Sequence, residues 1–314
     1  MSELLNLPLA KTPIDRDYLR RQEPKLFDEL WADPNTRVLV LHEGKALLRL
    51  QDSKPVGLLY KTVEDVPSAQ VRAYLGKAAV DGAMGAVVLA VLADNAANQI
   101  EPNEANWHQL RRTGSGLGEL DAAVYAQALA LANWHETHQH CAHCGSLTIV
   151  EQGGWVRRCM KDGKELFPRT DPAIIVSVID ANDRILLGSQ GAWEANRWSV
   201  LAGFVEPGES LTQAVVREVF EEAGVIVVEP EYLGSQAWPY PFSLMVGFTA
   251  RVAADYDLAS TVPDGIEIEK LRWFSREELA AEASELFLPG RVSIARALVE
   301  HWYGGELISA SERS

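Results

Sequence analysis

The sequence predicts a protein of the α/β (α+β) class: a smaller β-rich N-terminal domain, a cysteine-bearing insert and a larger mixed domain. Three observations carry this. At 314 residues the chain exceeds what one hydrophobic core ordinarily fills, about 250–300 residues. Short apolar runs bounded by glycine, proline and asparagine alternate with segments of helical period. All three cysteines fall between residues 141 and 159, which marks a local metal or redox unit and excludes a disulfide framework.

The first domain is expected over residues 1–135. Its strands are Arg37–Leu41, Ala46–Leu50 and Val56–Tyr60, separated by the turn residues Gly44, Pro55 and Gly57, with further strands at 71–76 and 86–92. A helix follows over Leu117–His135, where Leu120, Val124, Ala128 and Leu131 recur at three- and four-residue spacing behind Asp121. Gly114, Gly116 and Gly118 have the wrong spacing for a dinucleotide fingerprint and read as a flexible lead-in to that helix. No chemistry is legible in this stretch, and no internal repeat in the chain. Residues 136–170 form the cysteine knuckle. The second domain, 171–314, opens with the near-continuous apolar strand Ala173–Ile179, an Ala-Asn-Asp turn and Arg184–Leu187, a hairpin.

Composition narrows the partners. Hydrophobic residues are 47% and charged residues 23%, which fits a globular chain and neither a disordered nor a fibrous one. Against 29 Lys and Arg stand 44 Asp and Glu, a net charge of −15. Such a chain repels DNA or RNA at long range, while a phosphate-bearing end held through a metal ion remains open to it. The start has no basic region followed by a long apolar one, and no run is long enough to cross a bilayer. A cytoplasmic protein with no membrane partner is therefore expected.

The segment from Gly203 to Val225 carries the chemistry. Pro207-Gly208 makes a turn, Ser210 is an N-cap with Gln213 at capping-box spacing, and Gly224 sits where a left-handed residue ends a helix. Leu211, Val215 and Val219 are expected to pack inward. Glu218, Glu221 and Glu222 stand at i, i+3 and i+4, so their carboxylates share a helix face that Glu209 approaches from the loop. On a solvated face such crowding costs a few tenths of a kcal/mol per pair. In a partly buried pocket, two carboxylates about 6 Å apart at an effective dielectric near 20 repel by on the order of 3 kcal/mol. A positive group must then sit among them, and oxygen-only ligands select Mg²⁺ or Mn²⁺.

These residues match, position for position, the signature G-x5-E-x7-R-E-U-x-E-E-x-G-U of the Nudix hydrolases, U being a bulky aliphatic. Seven fixed residue types coincide by chance about once in 10⁸ windows. The resemblance implies a mixed sheet sandwiched between helices and hydrolysis of a nucleoside diphosphate linked to another moiety. It implies Glu218, Glu221 and Glu222 as metal ligands, oriented by Arg217 with Glu209 as its partner. Downstream, Ser235-Gln-Ala-Trp-Pro-Tyr-Pro-Phe-Ser243 resembles the S-Q-P-W-P-F-P-x-S motif of the NADH pyrophosphatases, a Nudix branch whose members also remove NAD caps from RNA. Here Ala237 replaces a proline and Tyr240 a phenylalanine. That branch carries a zinc ribbon before its catalytic domain, and Cys141-x2-Cys144-x14-Cys159 stands in that place with Asp162 at the fourth position. Three readings stay open: zinc held by three cysteines and Asp162, zinc completed by His140 or His143, or a ribbon without metal.

From the same resemblance, Phe204 is a stacking surface for the nicotinamide ring, with Trp238 of a partner subunit on its other face. Gln236, Trp238 and Tyr240 belong to the substrate motif. Phe167, Ile175, Ser243 and Met245 line the nucleotide pocket, and Ala295 supplies a backbone contact. Glu267 corresponds to a further metal ligand, with Glu269 as the neighbouring alternative. The expected protein is a homodimeric, Mg²⁺- or Mn²⁺-dependent enzyme that cleaves NAD(H) to nicotinamide mononucleotide and AMP and acts on the 5′ end of NAD-capped RNA. Rival readings are ADP-ribose or dinucleoside polyphosphates as substrates, a nucleotide sensor that does not cleave, and a zinc-ribbon nucleic-acid binder. The missing fourth cysteine and the acidic charge weigh against the last.

Overall fold

The computed structural model describes residues 7, 9–66 and 68–312. The chain divides into two compact units, Leu9–Thr170 together with Trp238–Phe242, and Asp171–Ala237 together with the chain from Ser243 onward. The first unit thus includes the cysteine knuckle and the tip of a hairpin whose strands belong to the second.

In the first unit, α1 (Leu26–Ala32) precedes β1 (Arg37–His42), β2 (Lys45–Gln51), β3 (Lys54–Leu58), β4 (Val71–Val80) and β5 (Ala83–Val91). After these come α2 (Asp94–Ile100), β6 (Trp107–Gln109), α3 (Leu110–Thr113) and the long α4 (Glu119–Thr137). The sheet order is β3-β2-β1-β5-β4, with β6 added on β2. Strands β1 and β5 are parallel, Arg37 opposite Val87 through Leu41 opposite Val91. One sheet face packs Val38, Val40, Ala90 and Trp107 against Ala96 and Ala97 of α2. The expected β-rich unit ending in a helix is present, with α4 two residues later at each end than the pattern placed it. A separate three-stranded sheet follows: β7 (Thr148–Glu151), β8 (Val156–Cys159) and β9 (Glu165–Leu166).

The second unit contains β10 (Asp171–Ile179), β11 (Ile185–Ser189), β12 (Leu201–Phe204), α5 (Leu211–Ala223), β13 (Val227–Trp238), β14 (Ser243–Val252), β15 (Lys270–Phe274), α6 (Arg276–Glu282) and α7 (Ile294–Tyr303). Its sheet runs β13-β14-β10-β11-β15, with β12 paired to β10. Val215, Val219 and Ala223 of α5 bury against Ile174, Val176 and Val178 of β10 and Phe248 of β14. Each such aliphatic side chain contributes roughly 1.5–3 kcal/mol when fully buried. Ile294 of α7 lies over Gly247, where a Cβ would meet its Cδ1 at 2.8 Å. Gly247 alternates with Val246 and Phe248, so α7 covers the opposite face. The result is the expected α/β/α sandwich.

The two sheets repeat one another, which the sequence did not reveal. Each has a central parallel pair (β1 and β5, β10 and β14), an antiparallel neighbour that begins a hairpin (β2, β11), a closing strand on it (β6, β15), an outer strand (β4, β13) and a C-terminal helix. They differ in two places: β3 pairs with β2 whereas β12 pairs with the central strand β10, and they differ where the glutamates lie. Between β12 and β13 the second unit inserts α5, whereas between β3 and β4 the described residues of the first unit form no helix.

Candidate active site

Helix α5 is framed by its own sequence. Ser210 Oγ accepts from the Gln213 N–H at 3.3 Å, and Gly224 ends the helix at φ +67°, a conformation that costs a side chain-bearing residue energy. Leu211 does not pack inward as expected. It is 38% exposed because the first turn stands out with the exposed loop 206–210; the inward face begins at Ala214.

Arg217 ties the site together. Its Nε and Nη2 donate to Glu209 Oε1 and Oε2 at 2.8 and 2.9 Å, a bidentate pair. Nη1 lies 2.9 Å from Glu218 Oε1 and 2.9 Å from Glu221 Oε2, and Nη2 also donates to the Phe204 carbonyl at 2.9 Å. This guanidinium holds the Glu209 carboxyl below the usual carboxylate range, and the surrounding acids push Arg217 up. Glu209 also accepts from the Glu206 N–H at 3.0 Å, which closes the loop.

Glu218 lies flat on β12. A Cβ on Gly203 would sit 2.1 and 2.2 Å from its two carboxylate oxygens, so only glycine permits this approach. Glu222 is 4% exposed and its Oε2 has no hydrogen-bond partner. Burial, then the charges of Glu218, Glu267 and Asp264, push its carboxyl up to about 8. Burial also pushes Glu218 up, with Glu221 and Glu267 adding to it against Arg217. Glu267 is therefore the downstream glutamate near the cluster, while the Glu269 carboxylate lies beside Gly191. Asp264, which the sequence did not single out, shapes that loop by accepting from the N–H groups of Ile266, Glu267 and Ile268. The Asp264-Gly265 turn was its available signal. One guanidinium faces this many carboxylates, and a buried acid is left with an orphaned oxygen. That donor set fits a hard divalent cation.

The structure brings most of the expected substrate residues of this unit onto one face. Ala173 of β10 is in register with Phe204 and with Met245, Asp171 with Ser243, and Ile175 with Gly247. Phe204, Met245, Ser243 and Ile175 thus point to the side that α7 covers, where Ala295 sits in the first turn. Its N–H is taken by Ser293 Oγ at 3.2 Å. Phe204 is 58% exposed, whereas Ile175 is buried. Gln236 is 0% exposed, donates to the Val292 carbonyl at 2.8 Å and accepts from the Ile294 N–H at 2.8 Å, so its amide anchors the start of α7.

Phe167, Trp238 and Tyr240 belong to the other unit. Phe167 is exposed. The rings of Trp238 and Tyr240 meet edge to face at 4.9 Å, with the Arg111 guanidinium 5.7 and 5.9 Å from them. Asn133 of α4 donates to the carbonyls of Pro239 and Pro241 at 3.0 and 3.1 Å, which fixes the tip.

In the knuckle the ligand atoms of Cys141, Cys144, Cys159 and Asp162 all lie within 4.8 Å of one another. Two equivalent turns place them. The Gly145 N–H donates to the Cys141 carbonyl at 2.9 Å and the Gly163 N–H to the Cys159 carbonyl at 3.1 Å, and both glycines have φ +71°. Asp162 occupies in the second turn the place of Cys144 in the first. His143 Nδ1 is 3.0 Å from Asp162 Oδ2, and His140 bridges Leu147. Hydrogen bonds from Ser146 bring the Cys144 thiol down to about 7. Three sulfurs and a carboxylate at this spacing fit a tetrahedral metal ion.

Comparison with known proteins accounts for the same three segments. Residues 168–295 match the NUDIX domain family, 35–134 a family described as NADH pyrophosphatase-like rudimentary NUDIX domain, and 136–167 the NADH pyrophosphatase zinc ribbon domain. The NAD-capped RNA hydrolase NudC of Mycobacterium tuberculosis is 42% identical over 203 residues, 62% of this chain and 64% of its own length. The human NAD-capped RNA hydrolase NUDT12 is 37% identical over 200 residues, 59% of this chain and 42% of its own. The chain thus spans less than two thirds of the length of these relatives. A NUDIX hydrolase crystal structure from Nitrosomonas europaea shares 24% identity, covering 53% of this chain and 94% of that one with a TM-score of 0.42.

Proposed function

This chain belongs to the NUDIX family, in the branch whose catalytic domain follows a zinc ribbon and a rudimentary NUDIX domain, and from that premise we propose that it hydrolyses the pyrophosphate bond of NAD(H). The products are nicotinamide mononucleotide, oxidised or reduced, and AMP. The same reaction on NAD-capped RNA releases 5′-monophosphate RNA. The observation that carries this reading is the acidic cluster of Glu218, Glu222 and Glu267, partly buried and underfilled with positive charge.

Glu218, Glu221, Glu222 and Glu267 are the residues that would hold Mg²⁺ or Mn²⁺. Bound there, such an ion neutralises the pyrophosphate and lowers the pKa of water. Arg217 sets the carboxylates by pairing with Glu209, Glu218 and Glu221. Phe204, exposed at the end of β12, offers its face to the nicotinamide ring. Met245 and Ser243 border the same patch, and Ile175 underlies it. Tyr240 and Trp238 act as the substrate motif in a homodimer, in which Trp238 of the partner subunit reaches Phe204. In the ribbon, zinc is held by Cys141, Cys144, Cys159 and Asp162, with His143 orienting the carboxylate as a partner of the ligand.

Initial rates on NADH, NAD, NAD-capped RNA and ADP-ribose at equal concentration test the substrate assignment. Higher kcat/KM on NADH or capped RNA than on ADP-ribose is expected. A preference for ADP-ribose would replace the assignment.

A further inference from the structure

The N-terminal unit carries an open cleft of about 910 Å³, at the carboxyl ends of the parallel strands β1 and β5. Its walls come from these strand ends, the last turns of α4 and the ribbon residues Val150 and Arg157. None of the glutamate-box residues lines it. Arg157 is 7% exposed. Nε donates to Thr148 Oγ1 at 2.7 Å, Nη2 to the Thr148 carbonyl at 3.3 Å, and Nη1 to His135 Nδ1 at 3.0 Å. None of these partners is negative. His135 contacts the Gly154 carbonyl through Nε2 at 2.9 Å, so its Nε2 carries the proton and Nδ1 accepts as part of a neutral ring. Among the described residues Arg157 makes no ion pair with a carboxylate. The acids of the cleft, Glu43, Asp94 and Glu136, stand on its exposed rim. The His42 Nδ1, also buried at the wall, has no partner.

A buried guanidinium without a counter-charge is costly, several kcal/mol after relaxation. Three of its five N–H groups are used, which leaves one donor on each Nη for an anionic oxygen, and guanidinium donors suit carboxylate and phosphate oxygens. The volume is at the upper end of small-molecule pockets, about 300–1,000 Å³. Crevices beyond the carboxyl ends of parallel strands are where such sheets bind ligands. We propose that this cleft is a second binding site for a small oxyanion of up to nucleotide size, a phosphate monoester or a carboxylate, whose oxygens pair with Arg157. The site is independent of the catalytic glutamates.

Isothermal titration calorimetry on the full chain, without added divalent cation, tests this with three probes: inorganic phosphate, AMP and succinate. Four proteins are compared, namely wild type, Glu218→Gln, Arg157→Gln and Val150→Trp. The last fills the cleft mouth from a half-exposed position and leaves the Arg157 network in place. At least one probe is expected to bind wild type and Glu218→Gln at a single site with equal, sub-millimolar affinity. Its affinity is expected to fall at least tenfold in Arg157→Gln and Val150→Trp. Success with phosphate or AMP identifies a phosphate ligand, and success with succinate alone a carboxylate. The proposal is overturned if no probe saturates wild type below about 10 mM, or if Val150→Trp binds as wild type does.

Discussion

Replacing Gly203 by alanine separates the chemistry of the site from its stability. The new Cβ would lie 2.0–2.2 Å from the Glu218 carboxylate, against 3.4 Å or more for ordinary contact. Glu218 must therefore move by at least about 1 Å, and displacements of that size cost on the order of 10²-fold in rate. The obstruction is the far end of a flexible side chain, not backbone, so the carboxylate swings away cheaply. Alanine also lowers the conformational entropy of the unfolded chain by about 0.4–1 kcal/mol. Gly203→Ala is thus expected to unfold within roughly 1 kcal/mol of wild type while kcat on NADH falls about 100-fold and the Mn²⁺ concentration for half-activity rises. Urea unfolding and metal-dependent initial rates on one preparation measure both. Wild-type kcat with an unchanged Mn²⁺ requirement would refute the role given to Glu218.

Three further outcomes follow from the same structure. Glu222→Gln removes a buried acid whose folded pKa is raised to about 8; that acid costs stability above the unfolded pKa, so without divalent cation the variant is expected to be more stable at pH 7 by roughly 1–3 kcal/mol, yet inactive, and a less stable apo variant would contradict this. Burial brings His135 down to about 4 from 6.5. Its contribution is complete above the unfolded value and is lost as pH falls through that window, up to about 3 kcal/mol; wild type should lose more stability between about pH 7 and pH 5 than His135→Asn does, and parallel losses would sink the assignment. Zinc content by plasma mass spectrometry should drop in Asp162→Ala and recover in Asp162→Cys, whereas full zinc in Asp162→Ala would remove Asp162 as a ligand.

What the sequence discloses is local. The strand Ala173–Ile179, the Ser210 cap, the left-handed Gly224 and the spacing of Glu218, Glu221 and Glu222 are set by near neighbours and are found where the pattern puts them. What it conceals depends on distant residues. Gln236 reads only as part of the substrate motif, and its bonds to Val292 and Ile294, more than fifty residues on, are set by the fold. Gly203 reads as one motif glycine until Glu218 is seen resting on it. The repeat of one sheet topology in both units rests on the pairing of β1 with β5 and β10 with β14, contacts that hydrophobic patterning does not encode. Arg157 reads as an ordinary ribbon cation, because neither its burial nor its lack of an acid is visible in the residues around it.

Anomalous diffraction from crystals grown with Mn²⁺ locates the metal on the glutamate cluster. A difference peak is expected at the carboxylates of Glu218 and Glu222, with Glu267 or Glu221 beside it, and its loss in Glu222→Gln. Manganese bound elsewhere, with those carboxylates remote from it, would exclude them as the catalytic metal site.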